Sequence, residues 1–309
     1  MNIIKNRYTY FLVSLLIIIP GIVFMALNWR NLGTPFPLGI DFTGGSLLEV
    51  QFPDARPGVE DVRNIYLQFA PESDPVIQSL GEDSYAIRSK RIEDDIKGLI
   101  VTELENQSGS PVMVLEFTSV SATVGAEVTR SAGFAILLAA FAILGYISYA
   151  FRGVDHAIRY GAAAIAAMLH DVFVVLGTEA ILAYYLGWEA DALFLTALLT
   201  VIGFSVHDSI VVFDRIRENS HVYRRIGYEA LVNHSVVQTL DRSINTQLTV
   251  LFTLFALSLF GGESIRHFVI ILLVGIFSGT YSSIFNAAPI LVVWENREWT
   301  TWFRKRATA

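Results

Sequence analysis

The sequence predicts a polytopic α-helical membrane protein: six transmembrane helices with an inserted α+β ferredoxin-like domain, βαββαβ, outside the membrane. Three observations carry that expectation. First, 53% of the 309 residues are hydrophobic and only 17% are charged, a balance unlike that of a soluble domain of this size. Second, the apolar residues gather in long blocks, 8–27, 131–151, 158–182, 191–213, 243–260 and 266–293, near the roughly 20 residues that cross a hydrocarbon core. Third, residues 28–130 break the pattern: they are polar and hold seven of the nine prolines.

The first block, Tyr8 to Leu27, follows Lys5 and Arg7. A cleaved signal peptide has a shorter apolar core and a small-x-small cleavage site. Met25-Ala26-Leu27 does not fit that site, so the block reads as a retained span with its N-terminus in the cytoplasm. Within 28–130, Ser46 to Phe52 alternates, placing Leu48, Val50 and Phe52 on one side of a half-buried strand. Pro57 to Phe69 puts Val59, Val62, Tyr66 and Phe69 on one helical face. Pro75–Leu80 and Ser84–Ser89 are short strands around the turn Gly81-Glu82-Asp83. Arg91 to Asn106 is helical, with Ile92, Ile96, Leu99, Ile100 and Leu104 as its apolar stripe. Pro111 to Val120 closes the split βαβ pattern as a last strand. That fold hosts many functions and by itself names none.

The remaining five blocks form a bundle over 131–296, with a long loop at 214–242 and a tail at 297–309. An even number of spans puts both termini on one side. Lys5, Arg7, Arg152, Arg159, Arg215, Arg217, Arg224, Arg225, Arg242, Arg297, Arg304, Lys305 and Arg306 all fall on that side. The short loops opposite hold only Arg266. The excess of Lys and Arg marks the cytoplasmic side, and long domains cross regardless of charge. The 28–130 domain is therefore expected to face outward, and the 214–242 loop inward.

Composition also narrows the chemistry. A net charge of −7 gives no footing for a nucleic-acid partner. Cysteine is absent, which removes disulfides, thiolate metal sites and cysteine nucleophiles. No G-x-x-x-x-G-K-[ST] loop occurs, so ATP hydrolysis is disfavoured. No cofactor is expected.

Three ionisable side chains fall in or just inside the membrane: Asp171, Asp208 and Arg242. Each such group costs about 2.5 to 3.5 kcal/mol on insertion scales. Asp208 sits in the run Val201 to Val212, where only it and His207 are ionisable. From Arg242, residues Asn245, Thr246, Thr249 and Thr253 continue one polar stripe. Ser205 and Thr200 share a face with Asp208, and Thr178 and Glu179 lie two turns beyond Asp171. The simplest packing turns these three faces toward one another. The alternative is that the hydroxyls bond their own backbone carbonyls. Asp208 and Arg242 are placed to meet in the inner half of the bilayer. Desolvation favours the neutral carboxyl and a nearby guanidinium the anion, and a group between those pulls can load and release a proton.

Other signals concern packing. Small residues 161–167, and Gly275, Gly279, Ser282 and Asn286, suit close helix contact. His170 and His207 each precede an Asp, but neighbouring side chains diverge by about 100° on a helix, so no metal site is expected. Glu179 reads as lying near the outer surface.

At this point several stretches resemble one family. Leu38-Gly-Ile-Asp-Phe-Thr-Gly-Gly45 is similar to the signature of SecD and SecF, membrane subunits of bacterial protein export, with Gly39, Asp41, Gly44 and Gly45 as its marks. His170-Asp171-Val172, Gly203 to Asn219, Gln238 to Thr246 and Gly279 to Phe285 resemble it in order. The Phe-Asp-Arg-Ile-Arg-Glu-Asn run and the small outer domain resemble the SecF branch. His207 departs from it, standing where that branch usually has Asn.

The resemblance implies an RND-like half that pairs with SecD as a heterodimer in the bacterial cytoplasmic membrane. It implies proton entry that drives late-stage translocation, with Asp208 and Arg242 as this half's proton relay and Asp171 in support. His207, Asn245, Thr246 and Thr249 would surround that relay. It further implies the SecYEG channel, SecA-dependent preproteins, YajC and YidC as associates, with membrane lipid around them. Two rivals stand beside it. A non-conducting scaffold that stabilises the translocon or aids insertion has the same spans. An intramembrane aspartyl protease would use Asp171 and Asp208, but its Gly-x-Gly-Asp context is missing, since Asp208 follows Ser-Val-His.

Overall fold

The structure is a computed structural model that describes residues 2–152, 157–223 and 225–302. Arg224, Arg304, Lys305 and Arg306, counted above for orientation, lie outside the described residues. In chain order the elements are α1 (Arg7–Leu32), α2 (Ile40–Thr43), β1 (Gly45–Gln51), α3 (Val59–Phe69), β2 (Val76–Leu80), β3 (Ser84–Ser89), α4 (Asp94–Ser108) and β4 (Met113–Val120). There follow α5 (Ala122–Ala150), α6 (Ala157–Leu186), α7 (Ala192–Val222), α8 (Tyr228–Phe260), α9 (Glu263–Ser282) and α10 (Ala288–Glu295). A π-helical turn, Ser283–Ala287, joins α9 to α10. Six helical stretches among the described residues are long and apolar enough to cross a membrane. The chain divides into two compact units, 37–134 with 189–192, and the rest.

The first unit is the expected split βαβ fold. Its sheet runs β2-β3-β1-β4, with every neighbour antiparallel. Leu48, Val50 and Phe52 are fully buried on one face of β1, against Val62 and Tyr66 of α3 and Ile100 and Leu104 of α4. Burial pushes the Tyr66 hydroxyl up to about 12. One stripe residue differs: Leu99 is 54% exposed. It lies about 100° round the helix from the centre of the Ile96–Ile100–Leu104 face, so it points to water. Ile92 is in the core, but as part of the segment that enters α4.

The glycine signature ties this unit together. The Gly39 N–H donates to the Ala190 carbonyl at 2.7 Å, and Asp41 Oδ2 accepts the Ala192 N–H at 2.9 Å. Gly44 has φ +75° and Gly45 φ +128°, where side chains are disfavoured. A Cβ on Gly44 would lie 2.7 Å from Ala122 Cα, and one on Gly45 2.6 Å from the Ser89 carbonyl oxygen. The pair thus lets the start of α5 and the end of β3 approach the entry to β1. Arg88 and Glu189 add an ion pair at 2.7 Å. Burial still holds the Glu189 carboxyl above the usual range, against the pull of Arg88.

The second unit is the helical bundle. α1 and α6 touch backbone to backbone: a Cβ on Gly21 would sit 2.5 Å from Gly177 Cα. Gly275 of α9 leaves room for Val201 of α7, as its small-residue spacing predicts. The expected 214–242 loop is mostly helix. α7 continues to Val222 and α8 begins at Tyr228, with Gly227 as its N-cap. Apolarity ends near residue 213, but helix does not. Arg215–Glu218 and Arg217–Asp214 pair along one helix at 2.5 and 2.7 Å. Asn219 then bridges α7 to α8, donating to Ser235 and Gln238 at 2.9 Å each.

Candidate functional site

The centre of the bundle holds two buried carboxylates on two helices. Asp208 of α7 is 3% exposed and Asp171 of α6 fully buried. Each arrives there because its helix buries the rest of the same face. Val201, Ser205, Ser209 and Val212 are buried around Asp208 on α7, and Ala167, Val174 and Val175 around Asp171 on α6.

Asp208 is served by a neutral group. The side-chain amide of Gln247 on α8 donates to its Oδ2 in a short hydrogen bond. Gln247 Oε1 is itself buried without a donor. Asp171 is served by hydroxyls: Ser278 donates to Oδ1 and Ser282 to Oδ2, both at 2.6 Å. His170 Nδ1 lies 3.0 Å from Oδ1. The two side chains do touch, although successive residues diverge on a helix, because χ rotation brings the imidazole back alongside. Hydrogen bonds to a charged acceptor contribute about 1.5 to 3 kcal/mol each, which offsets much of the burial of these carboxylates.

The π-helical turn knits these groups to other helices. Ser282, at its N-cap, reaches Asp171 on α6. Ser283 contacts Ser209 at 3.2 Å and donates to the Ser205 carbonyl on α7 at 3.2 Å. Asn286 bonds Ser14 of α1 through both its amide atoms. A π turn widens the helix by one residue and is found often at functional sites. Here it lets three polar residues within five positions address three helices.

Arg242 does not pair with Asp208 in this chain. It is exposed on α8, as are Asn245, Thr246 and Thr249. The inward face of α8 is Thr239, Ser243 and Gln247 instead. These lie about 60°, 100° and 140° round the helix from Arg242 at 100° per residue. The expectation that three polar faces converge therefore fails for the stripe on α8, while Asp171 on α6 and Asp208 on α7 are both buried. Several of its hydroxyls do what isolated membrane hydroxyls do: Thr249 bonds the Asn245 carbonyl and Thr253 the Thr249 carbonyl. Thr200 and Thr178 likewise turn to their own backbones. His207 is exposed, about 100° round α7 from Asp208.

Sequence reasoning passed over Gln247 and Ser278, which hold the two carboxylates, and read Ser282, the second donor to Asp171, only as a packing residue; Glu179, expected near the outer surface, is wholly buried. Gln247 and Ser243, four apart in an apolar block, were the available signal for the first. Gly39, Asp41, Gly44 and Gly45 lie in the other unit and build its turn. No cluster suited to a metal ion occurs among the described residues.

Chemically, the partners of the two carboxyl groups are an amide, two hydroxyls and one imidazole.

Residues 100–297 match the family described as Protein export membrane protein SecD/SecF, C-terminal, and residues 32–52 the SecD/SecF GG Motif. The chain is 50% identical to Protein translocase subunit SecF of Anaerolinea thermophila over 309 residues, 99% of this chain and 98% of the relative. It is 34% identical to Protein translocase subunit SecDF of Bacillus subtilis, covering 95% of this chain but 38% of that one. Among solved structures it resembles SecDF of Thermus thermophilus, described as a translocon-associated membrane protein, with a TM-score of 0.77 and 31% identity. That likeness covers 96% of this chain and 39% of the other.

Proposed function

The chain belongs to the SecD/SecF family, on its SecF side, and from that premise we propose that it couples proton influx to late-stage preprotein translocation. The observation that carries this reading is Asp208, buried against a neutral amide with no guanidinium beside it. A buried carboxylate without a fixed countercharge changes protonation readily. Arg242 waits on the open face of the adjoining helix.

The partner follows from the same face. Arg242, Asn245, Thr246 and Thr249 are exposed on a membrane helix. Polar side chains of this kind face a protein interior or a water-filled cavity rather than lipid. The fused SecDF chains carry more than twice this chain's length, with this chain matching 38% and 39% of them. A separate SecD subunit covering the α8 stripe supplies the missing half and a second carboxylate for Arg242. The SecYEG channel, SecA-dependent preproteins, YajC and YidC belong to the same proposal. So does the cytoplasmic membrane as location, with both termini inside.

The magnitude suffices. One charge crossing 100 mV releases about 2.3 kcal/mol, enough to shift a conformational equilibrium more than tenfold.

The test is export of a secretory protein into membrane vesicles carrying the SecD subunit, with and without a protonophore. Asp208→Asn and Arg242→Ala are expected to remove the gradient-dependent part of export and leave the rest. Full gradient dependence in both variants would overturn the coupling and leave the scaffold reading, which predicts normal export from Asp208→Asn.

A further inference from the structure

A second buried ionisable pair lies in the helical bundle, two turns beyond Asp171 on α6. Glu179 of α6 is fully buried, and its Oε2 lies 2.6 Å from Nε2 of His267 on α9. Its Oε1 is equally buried and meets no donor from the protein. The His267 side chain keeps 17% of its surface exposed, so the pair has one dry member and one wet member. The imidazole is flanked by Trp188 at 4.7 Å and Phe194 at 6.2 Å between ring centroids. Beside it, Asn28 of α1 fixes the Ala180 carbonyl of α6 at 3.0 Å.

We propose that Glu179 and His267 form a proton-uptake site in the bundle, distinct from Asp208 and Asp171. A pair retained only for packing would satisfy both carboxylate oxygens, because a buried unpaired acceptor costs about 1 to 3 kcal/mol, and more if charged. This pair leaves one buried oxygen without a donor and keeps part of the imidazole exposed. One proton is held between Nε2 and Oε2. A second, taken from water, binds at Nδ1 and leaves the Nε2–Oε2 hydrogen bond in place. The resulting imidazolium and carboxylate neutralise each other away from solvent. Transfer inward breaks the N–H bond at Nε2 and forms an O–H bond on Glu179.

Few other charges compete here. On α6 the next ionisable residues are Tyr184 and Tyr185, and α7 has none from Ala192 to Val206. On α9, Glu263 and Arg266 precede His267 and none follows through Thr280; near Asn28, α1 carries only Arg30. Glu189 and Asp191 of the α6–α7 connection belong to the other unit. Glu179 stands eight residues from Asp171 on the same helix, about 12 Å along its axis. That this proton continues to Asp171 and Asp208 rests on the function proposed above; the site itself does not.

Trp188 provides the test, since an imidazolium quenches an adjacent indole. The full chain in lipid nanodiscs is titrated from about pH 8 to about pH 5, where histidine changes charge. The Trp188 share of the fluorescence is taken as the difference from W188F. A reversible fall is expected in the parent, absent in H267Q, and displaced in midpoint by about one pH unit in E179Q. No transition in the parent overturns the proposal, whatever the variants do. A transition identical in E179Q and the parent also overturns it, because His267 then titrates alone. D208N is expected to leave the titration unchanged. If export loses no gradient dependence while this transition stands, the uptake site survives and the coupling proposal falls.

Discussion

Gln247 and Asp208 form a contact that offers the acid a partner in either protonation state. The amide nitrogen donates to Oδ2, and the amide oxygen lies buried beside it with no donor. An ionised Asp208 takes the N–H; a neutral Asp208 offers its own O–H to Oε1 after a turn of the amide. The proton can come and go without leaving the acid stranded, which a fixed ion pair with arginine would not allow.

Asp208→Asn is therefore expected to fold as the parent does, since Asn reproduces the neutral acid toward Gln247. Gln247→Leu strips Asp208 of its amide and is expected to destabilise by about 1.5 to 3 kcal/mol. Thermal unfolding in detergent measures both. If Asp208→Asn proves as unstable as Gln247→Leu, the two-way contact is not what holds this acid.

The hydroxyl cradle of Asp171 gives a second prediction. Ser278→Ala and Ser282→Ala each remove a donor at 2.6 Å. Each is expected to destabilise by about 1 to 3 kcal/mol, because it leaves a buried acceptor without its donor. In an Asp171→Asn background the same changes should cost less than half as much. The double-mutant cycle then reads a coupling of about 1 kcal/mol or more. Equal losses in both backgrounds would mean the serines act only through packing of the π turn.

Much of this arrangement was legible in the chain, and the exceptions share a cause. Spans and the βαββαβ order follow from apolar blocks and periodicity, which burial enforces directly. Asp208 stood out because lipid penalises a carboxylate anywhere on the helix. Helix ends at Val222 and Tyr228 did not show, since Arg215, Glu218 and Asn219 mark where the bilayer stops, not where hydrogen bonding does. The facing of α8 did not show either. Arg242, Asn245, Thr246 and Thr249 draw the eye as a stripe, yet Gln247, about 140° away on the face it shares with Thr239 and Ser243, points inward. A stripe reports which residues share a face, not which neighbour that face meets.

The glycine signature allows a controlled comparison. Gly44 and Gly81 have nearly the same backbone, φ +75° and +73°. A Cβ at Gly44 meets the Ala122 backbone at 2.7 Å, whereas one at Gly81 meets nothing within 4 Å. Gly81→Ala is expected to cost about 1 kcal/mol from strain alone. Gly44→Ala carries the same strain and must also push α5 away from β1, so its loss should exceed that of Gly81→Ala by about 1 kcal/mol or more. Protease resistance of the sheet unit in the full chain checks the order. Equal losses would show that the close approach is not enforced.

The sheet also contains a pH-dependent element. Glu49 of β1 stands directly opposite Glu116 of β4. Burial raises the Glu49 carboxyl above its usual range, Glu116 raises it further, and Arg88 pulls it down. A raised folded-state value means the folded protein holds this proton more tightly than the unfolded chain. The destabilisation is absent below the ordinary carboxylate range, grows as pH rises through the folded value, and is complete above it. Glu116→Gln removes the like charge across the strands, and so should stabilise the sheet at neutral pH and change little in acid. Glu49 is only half-buried, so solvent screening holds the gain to a few tenths of a kcal/mol up to about 1. Hydrogen exchange of the β1 and β4 amides reads that gain locally, without requiring the whole membrane protein to unfold. Slower exchange in Glu116→Gln at neutral pH, with the difference vanishing in acid, is the expected signature. A gain that persists in acid would place the effect in packing rather than charge.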